Sequence, residues 1–192
     1  MNKIDIILAG VGGQGILTIA TIIGDAAAKA GLYLKQAEVH GMSQRGGDVQ
    51  SNLRLSCEPI YSDLIREGQA DMIISMEPME ALRYVACLNG KGRIITSSTP
   101  FKNIPNYPDE QTLMQELQSL PNVTALPIEE MAKDGGFAKS ANVVLLGMAA
   151  RYLGVLTADQ LRQSIENVFK SKGEAVVEAN LQAFELGVKA AE

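Results

Sequence analysis

Residues 4–16, Ile-Asp-Ile-Ile-Leu-Ala-Gly-Val-Gly-Gly-Gln-Gly-Ile, decide the fold. Ile4 to Ala9 is a short apolar run ending at glycine, the pattern of a buried parallel strand. Gly10-Val11-Gly12-Gly13-Gln14-Gly15 then fits G-x-G-x-x-G, in which each missing side chain lets the backbone turn tightly or approach another group. From Ile16 onward, Ile16, Ile19, Ala20, Ile23 and Ala27 recur at helical spacing and Gly31 supplies the stop. A strand, a glycine turn and a helix in this order leave unpaired N–H groups and a positive dipole end where an anion can sit. Two uses compete for such a turn. One is a dinucleotide pyrophosphate, with Glu38 as the ribose-binding acid about 20 residues on. The other is close packing against neighbouring loops.

Working outward, Tyr33 to Val39 predicts a second strand, reached by a crossover long enough for a right-handed βαβ unit. His40 to Asp48 then holds three glycines and no helical periodicity, so it predicts a loop. The absent crossover helix spoils the second half of a dinucleotide fold and favours the packing use. Val49, Leu53 and Leu55 alternate with Gln50, Asn52 and Arg54, as in an antiparallel strand with one wet face. Glu58-Pro59 predicts a turn, with Ile60-Tyr61 pairing back. Asp71 to Met76 and Arg93 to Ser97 predict central strands joined by a helix from Pro78 that carries Met79, Leu82 and Val85. A short helix around Leu113, Met114 and Leu117 follows, then a last strand over Val123 to Ile128.

The C-terminal part is helical. Ala141 to Tyr152 is apolar nearly all round, Thr157 with Gln160 is a capping-box signature, and a last helix starts near Glu174. The pattern predicts an α/β, Rossmann-like three-layer sandwich. Its sheet is mostly parallel, with an antiparallel excursion after the second strand, and residues 1–192 form a single domain.

Composition narrows the function. A formal net charge of -5 argues against nucleic acid or an anionic membrane as partner. No apolar run approaches the roughly 20 residues of a membrane span, and Asp5 and the glycines break the one stretch that resembles a signal peptide. The expected location is the cytoplasm. Cys57 and Cys87, the only two cysteines, cannot supply the four thiolates of a typical iron–sulfur cluster. A single histidine, His40, makes a metal site in this chain unexpected.

The loop Glu38-Val39-His40-Gly41-Met42-Ser43-Gln44-Arg45-Gly46-Gly47 gathers an acid, an imidazole, a hydroxyl, an amide and a guanidinium within ten residues. At the carboxyl end of its strand it is expected beside the first glycine turn, forming one surface with it. Arg45 suits bidentate recognition of a carboxylate or phosphate, with Ser43 and Gln44 adding hydrogen bonds. The alternative is that Arg45 pairs with Glu38 and the glycines only make turns. Ser97, Ser98 and Thr99 join this surface or merely cap a strand end. No catalytic set assembles from these residues, and His40 and Arg45 are the candidate contributors.

GVGGQGILT followed by EVHGMSQRGG resembles the gamma component of the 2-oxoacid:ferredoxin oxidoreductases, in particular its indolepyruvate branch. Glu77-Pro78-Met79-Glu80-Ala81-Leu82 and Asn142 before Leu146-Gly147 also look like this family. The resemblance implies a small accessory subunit, inactive alone. It places thiamine diphosphate, Mg2+ and the iron–sulfur clusters on a larger alpha subunit. It further implies conversion of a 2-oxoacid and coenzyme A to acyl-coenzyme A and carbon dioxide, with electrons passing to ferredoxin. Gly10, Gly12, Gly13, Gln14 and Gly15 would form the first partner-facing loop, and His40, Ser43, Gln44 and Arg45 the second. A pyruvate or branched-chain enzyme of the same family, or a stand-alone NAD- or flavin-binding protein, stays open at this point. A homodimer of the isolated chain is also expected, through an apolar face left by the helices and eight methionines.

Overall fold

The computed structural model describes residues 2–41, 46–102 and 104–191. The apolar run forms β1 (Lys3–Val11), and the helical pattern after the glycine turn forms α1 (Ile16–Lys29). They are followed by β2 (Tyr33–His40), β3 (Asp48–Ser56), β4 (Ala70–Ser75), α2 (Pro78–Arg83), β5 (Leu88–Ser97), α3 (Glu110–Ser119), β6 (Val123–Leu126), α4 (Ile128–Asp134), α5 (Ala141–Ala150), α6 (Ala158–Phe169) and α7 (Glu174–Ala190). The sheet order is β2-β3-β1-β4-β5-β6. β1, β4, β5 and β6 are parallel, while β3 lies antiparallel between β1 and β2. The α/β sandwich with its antiparallel excursion is borne out.

The βαβ expectation needs one correction. β2 runs in the direction of β1 but does not pair with it, because β3 folds back into the place beside β1. β2 is thereby pushed to the edge of the sheet, where seven of its eight residues are exposed.

The two sheet faces are covered unequally. Ile4, Ile6, Leu8, Leu53, Leu55, Met72 and Ile74 point to the side of α1, α5 and α6, which holds the larger core. α5 is buried at all ten positions, as a surface apolar but for Asn142 requires. α7 crosses it so closely that a Cβ on Gly147 would stand 2.2 Å from the carbonyl oxygen of Phe184, and one on Gly187 2.0 Å from that of Val144. The other face has a thinner core of Ile7, Ala70, Ile73, Ala81, Ile94 and Leu117.

Residues 57–69 form an irregular strap over the second face of β3, so Ile60 and Tyr61 do not pair back as a strand. Arg54 holds the strap by donating from Nη1 to the carbonyls of Ser62 at 3.0 Å and Leu64 at 3.2 Å. It also donates from Nε to Asp5 Oδ1 at 2.8 Å, beside Lys3 on the same carboxylate. Further corrections are local. The helix from Pro78 stops at Arg83, leaving Val85 in a 3-10 turn, and the last strand ends at Leu126. Ile128 instead opens α4, which the sequence pattern did not show.

Candidate functional site

The glycine turn sits at the carboxyl end of β1, beside the ends of β4 and β5. Its shape is fixed by contacts within the chain. Gln14 folds back so that its Oε1 accepts from Val11 N at 2.7 Å, while its own N donates to Val11 O at 3.1 Å. Gly15 caps α1 in the left-handed region, with φ 82°, and its carbonyl accepts from Asn142 Nδ2 at 3.1 Å. A Cβ on Gly15 would lie 2.7 Å from that nitrogen, so both conformation and space demand glycine here.

The second loop closes onto the first. Gly12 N donates to Gly47 O at 2.8 Å, and Gly46 N donates back to Gly12 O at 3.4 Å. The expected single surface therefore exists at Gly12, Gly46 and Gly47. Ser43, Gln44 and Arg45 lie outside the described residues. Glu38 and His40 stand together at 3.6 Å and border a cavity of about 310 Å3 with Val11, Gly12, Gly13, Gly15 and Leu17. Glu38 is thus near the turn, as a ribose-binding acid would be. The amide of Gly12 is already committed to Gly47, however, and β3 holds the place beside β1 that the second strand of a dinucleotide fold takes. Both observations favour the packing use of the turn.

On its other side the turn opens into larger hollows. One of about 720 Å3 runs over Gly13, Gly15 and Thr18 to Lys139, Lys172 and Asn180, floored by Phe137, Phe169 and Val176. A neighbouring hollow of about 410 Å3 adds Met76, Thr99, Phe101 and Glu129. Two ammonium groups near a helix start without acidic residues in its first turn favour an anion there. Sequence reasoning missed Lys139, Lys172 and Glu129. Asn142 carried a signal, since it is a polar residue in an otherwise apolar helix.

Carboxylates line the ends of β4 and β5. Glu77 is fully buried, caps α2 by accepting from Glu80 N at 2.8 Å, and holds the loop after β5 through Phe101 N and the Tyr107 hydroxyl. Burial, reinforced by that carboxylate, pushes the Tyr107 phenol far up. Ser97 donates to Glu129 Oε2 at 2.6 Å, yet burial outweighs this bond and raises the Glu129 carboxyl above its ordinary range. Thr99 reaches the hollow while Ser97 lies buried beneath it.

Cys57 is exposed and Cys87 half-buried, and both are free. Among the described residues no group of three or more His, Cys, Asp or Glu side chains is placed to hold a metal. The donor set of this chain does not fit an iron–sulfur cluster. No helix among the described residues is long and apolar enough to cross a membrane.

A glycine turn closed by its own chain, at the end of a mostly parallel sheet, defines a Rossmann-like α/β protein whose second loop packs onto its first. Residues 5–190 match the pyruvate ferredoxin/flavodoxin oxidoreductase family, and the chain belongs to it. It is 38% identical to the indolepyruvate oxidoreductase subunit IorB of Thermococcus kodakarensis, over 100% of this chain and 97% of that one. The IorB subunit of Pyrococcus horikoshii is 37% identical over the same shares. Among solved structures, the gamma subunit of the keto/oxoacid ferredoxin oxidoreductase from Geobacter sulfurreducens is 28% identical, covers 98% of both chains and superposes with a TM-score of 0.70. The resemblance to this family and the expectation of an oxidoreductase subunit are borne out.

Proposed function

We propose that the chain is the small accessory subunit of an indolepyruvate:ferredoxin oxidoreductase. On this reading residues 1–192 are one gamma-type domain that packs against, and completes, a larger cytoplasmic subunit. That partner carries the thiamine diphosphate, Mg2+ and iron–sulfur clusters and passes electrons to ferredoxin. When bound there, the thiamine group supplies the carbanion chemistry that 2-oxoacid decarboxylation needs. The bond from Gly12 N to Gly47 O carries the reading, because it commits the turn's amide to the chain's own second loop. Such a turn is a rigid surface for another polypeptide and a poor cradle for a free redox nucleotide.

This chain's own residues would bind and orient. Lys139 and Lys172 suit the phosphates of coenzyme A, and the apolar floor of Phe137, Phe169 and Val176 suits its uncharged arm. Arg45, His40, Ser43 and Gln44 are assigned to the edge shared with the partner's active centre, Arg45 toward an anionic group.

Reconstitution tests this. Indolepyruvate- and coenzyme A-dependent reduction of ferredoxin should require both subunits, with no turnover by either alone. Tight binding of NAD by the isolated chain together with substrate reduction would overturn it, and equal activity of the larger subunit without this one would do the same.

A further inference from the structure

We propose that two copies of this chain pair edge to edge through β2, extending the sheet across a two-fold axis. β2 is an open edge of eight residues with no proline and no break in its register against β3, from Tyr33 opposite Ser56 to His40 opposite Val49. An edge like this presents a row of backbone donors and acceptors ready for another strand. The opposite edge of the sheet, β6, has only four residues, all half-buried.

Apolar side chains gather at the same edge. The register places Tyr33 and Val39 on the face that carries Arg54, and Arg54 holds the strap bearing Tyr61 and Leu64 on that face. These four are 50%, 60%, 94% and 59% exposed. The methionines do not supply the surface expected of them, since none of the six described is exposed.

The strand suits a second copy of itself. β2 carries one lysine and one glutamate, so it adds no net charge to a chain of net charge -5. Residues opposed across antiparallel strands point to one face, and a two-fold axis through Gln36 satisfies this. Tyr33 of each copy then opposes Val39 of the other, an aromatic against a β-branched side chain. Lys35 opposes Ala37 and Glu38 opposes Leu34, so no like charges meet directly.

Light scattering on the full chain across a concentration series, with amide exchange at residues 33–40, is the test. The wild type should be a dimer whose β2 amides gain protection as concentration rises. Val39→Lys should be monomeric under the same conditions with an unchanged far-UV circular dichroism spectrum, and Tyr33→Lys serves equally if the first variant folds poorly. A monomeric wild type with freely exchanging β2 amides, or a dimer indifferent to both substitutions, overturns the proposal. So does protection of β2 that appears only on adding the larger subunit, since the edge then belongs to that partner.

Discussion

Gly12 and Gly47 are joined backbone to backbone, amide to carbonyl, at 2.8 Å. This bond makes one surface of two loops that are far apart in sequence, and it rests on the turn that Gln14, Gly15 and Asn142 keep in shape.

The glycines of the turn should differ in sensitivity. Gly13 and Gly15 both have positive φ, but a Cβ on Gly13 meets open space while one on Gly15 meets Asn142. Gly13→Ala should cost about 1–2 kcal/mol from backbone strain alone. Gly15→Ala should cost more, adding the clash to the strain, and should impair assembly with the larger subunit. Urea melts of both variants check the order.

The crossing of α5 and α7 should reverse the usual helix preference. Alanine in place of a helical glycine ordinarily stabilises by about 0.8–1 kcal/mol. Gly24→Ala in α1 should follow that rule, because its Cβ would sit an ordinary 3.6 Å from Leu34. Gly147→Ala and Gly187→Ala should instead destabilise by about 1–3 kcal/mol, since their Cβ atoms fall on backbone oxygens. Thermal melts of the three variants should give opposite signs.

Asp5 and Glu129 should pull the acid stability in opposite directions. At Asp5 burial raises the carboxyl, but the bonds from Arg54 and Lys3 outweigh it and hold the pKa below the ordinary 3.8. Its stabilisation is therefore full above that value and lost as pH falls through the lower folded value. Glu129 is raised above 4.5, so its buried charge penalises the fold above the folded value and the penalty is relieved on acidification. Denaturant midpoints from pH 3 to 7 should show a shallower acid decline for Asp5→Asn and a steeper one for Glu129→Gln. At neutral pH Asp5→Asn should cost about 1–3 kcal/mol, because Arg54 keeps a poorer partner.

The basic hollow should matter to the assembled enzyme. Lys139→Ala and Lys172→Ala should each raise the KM for coenzyme A by about tenfold, equivalent to about 1.4 kcal/mol of binding, with little change in the KM for indolepyruvate. Steady-state kinetics on the reconstituted complex separate the two effects.

Much of this architecture is legible in the residues. The run Ile4–Ala9 and the glycines after it specify a strand, a turn and a helix, and Thr157 with Gln160 specifies the start of α6 through a reciprocal cap that the structure contains. The alternation of Val49, Leu53 and Leu55 specifies an antiparallel strand. It does not specify that strand's neighbours, so the displacement of β2 to the edge was hidden. Nor does it reveal the strap over Asn52 and Arg54, which buries the first and half buries the second on the side expected to be wet. α4 escaped because seven residues after a proline are too few to show a helical period. Lys139, Lys172 and Glu129 escaped because they meet the turn only through tertiary folding.

Amide exchange at residues 12–18 tests the central claim most directly. If the joined loops receive another polypeptide, these amides gain protection when the larger subunit is added and are unchanged by millimolar NAD. Protection by NAD, with none from the larger subunit, would contradict it.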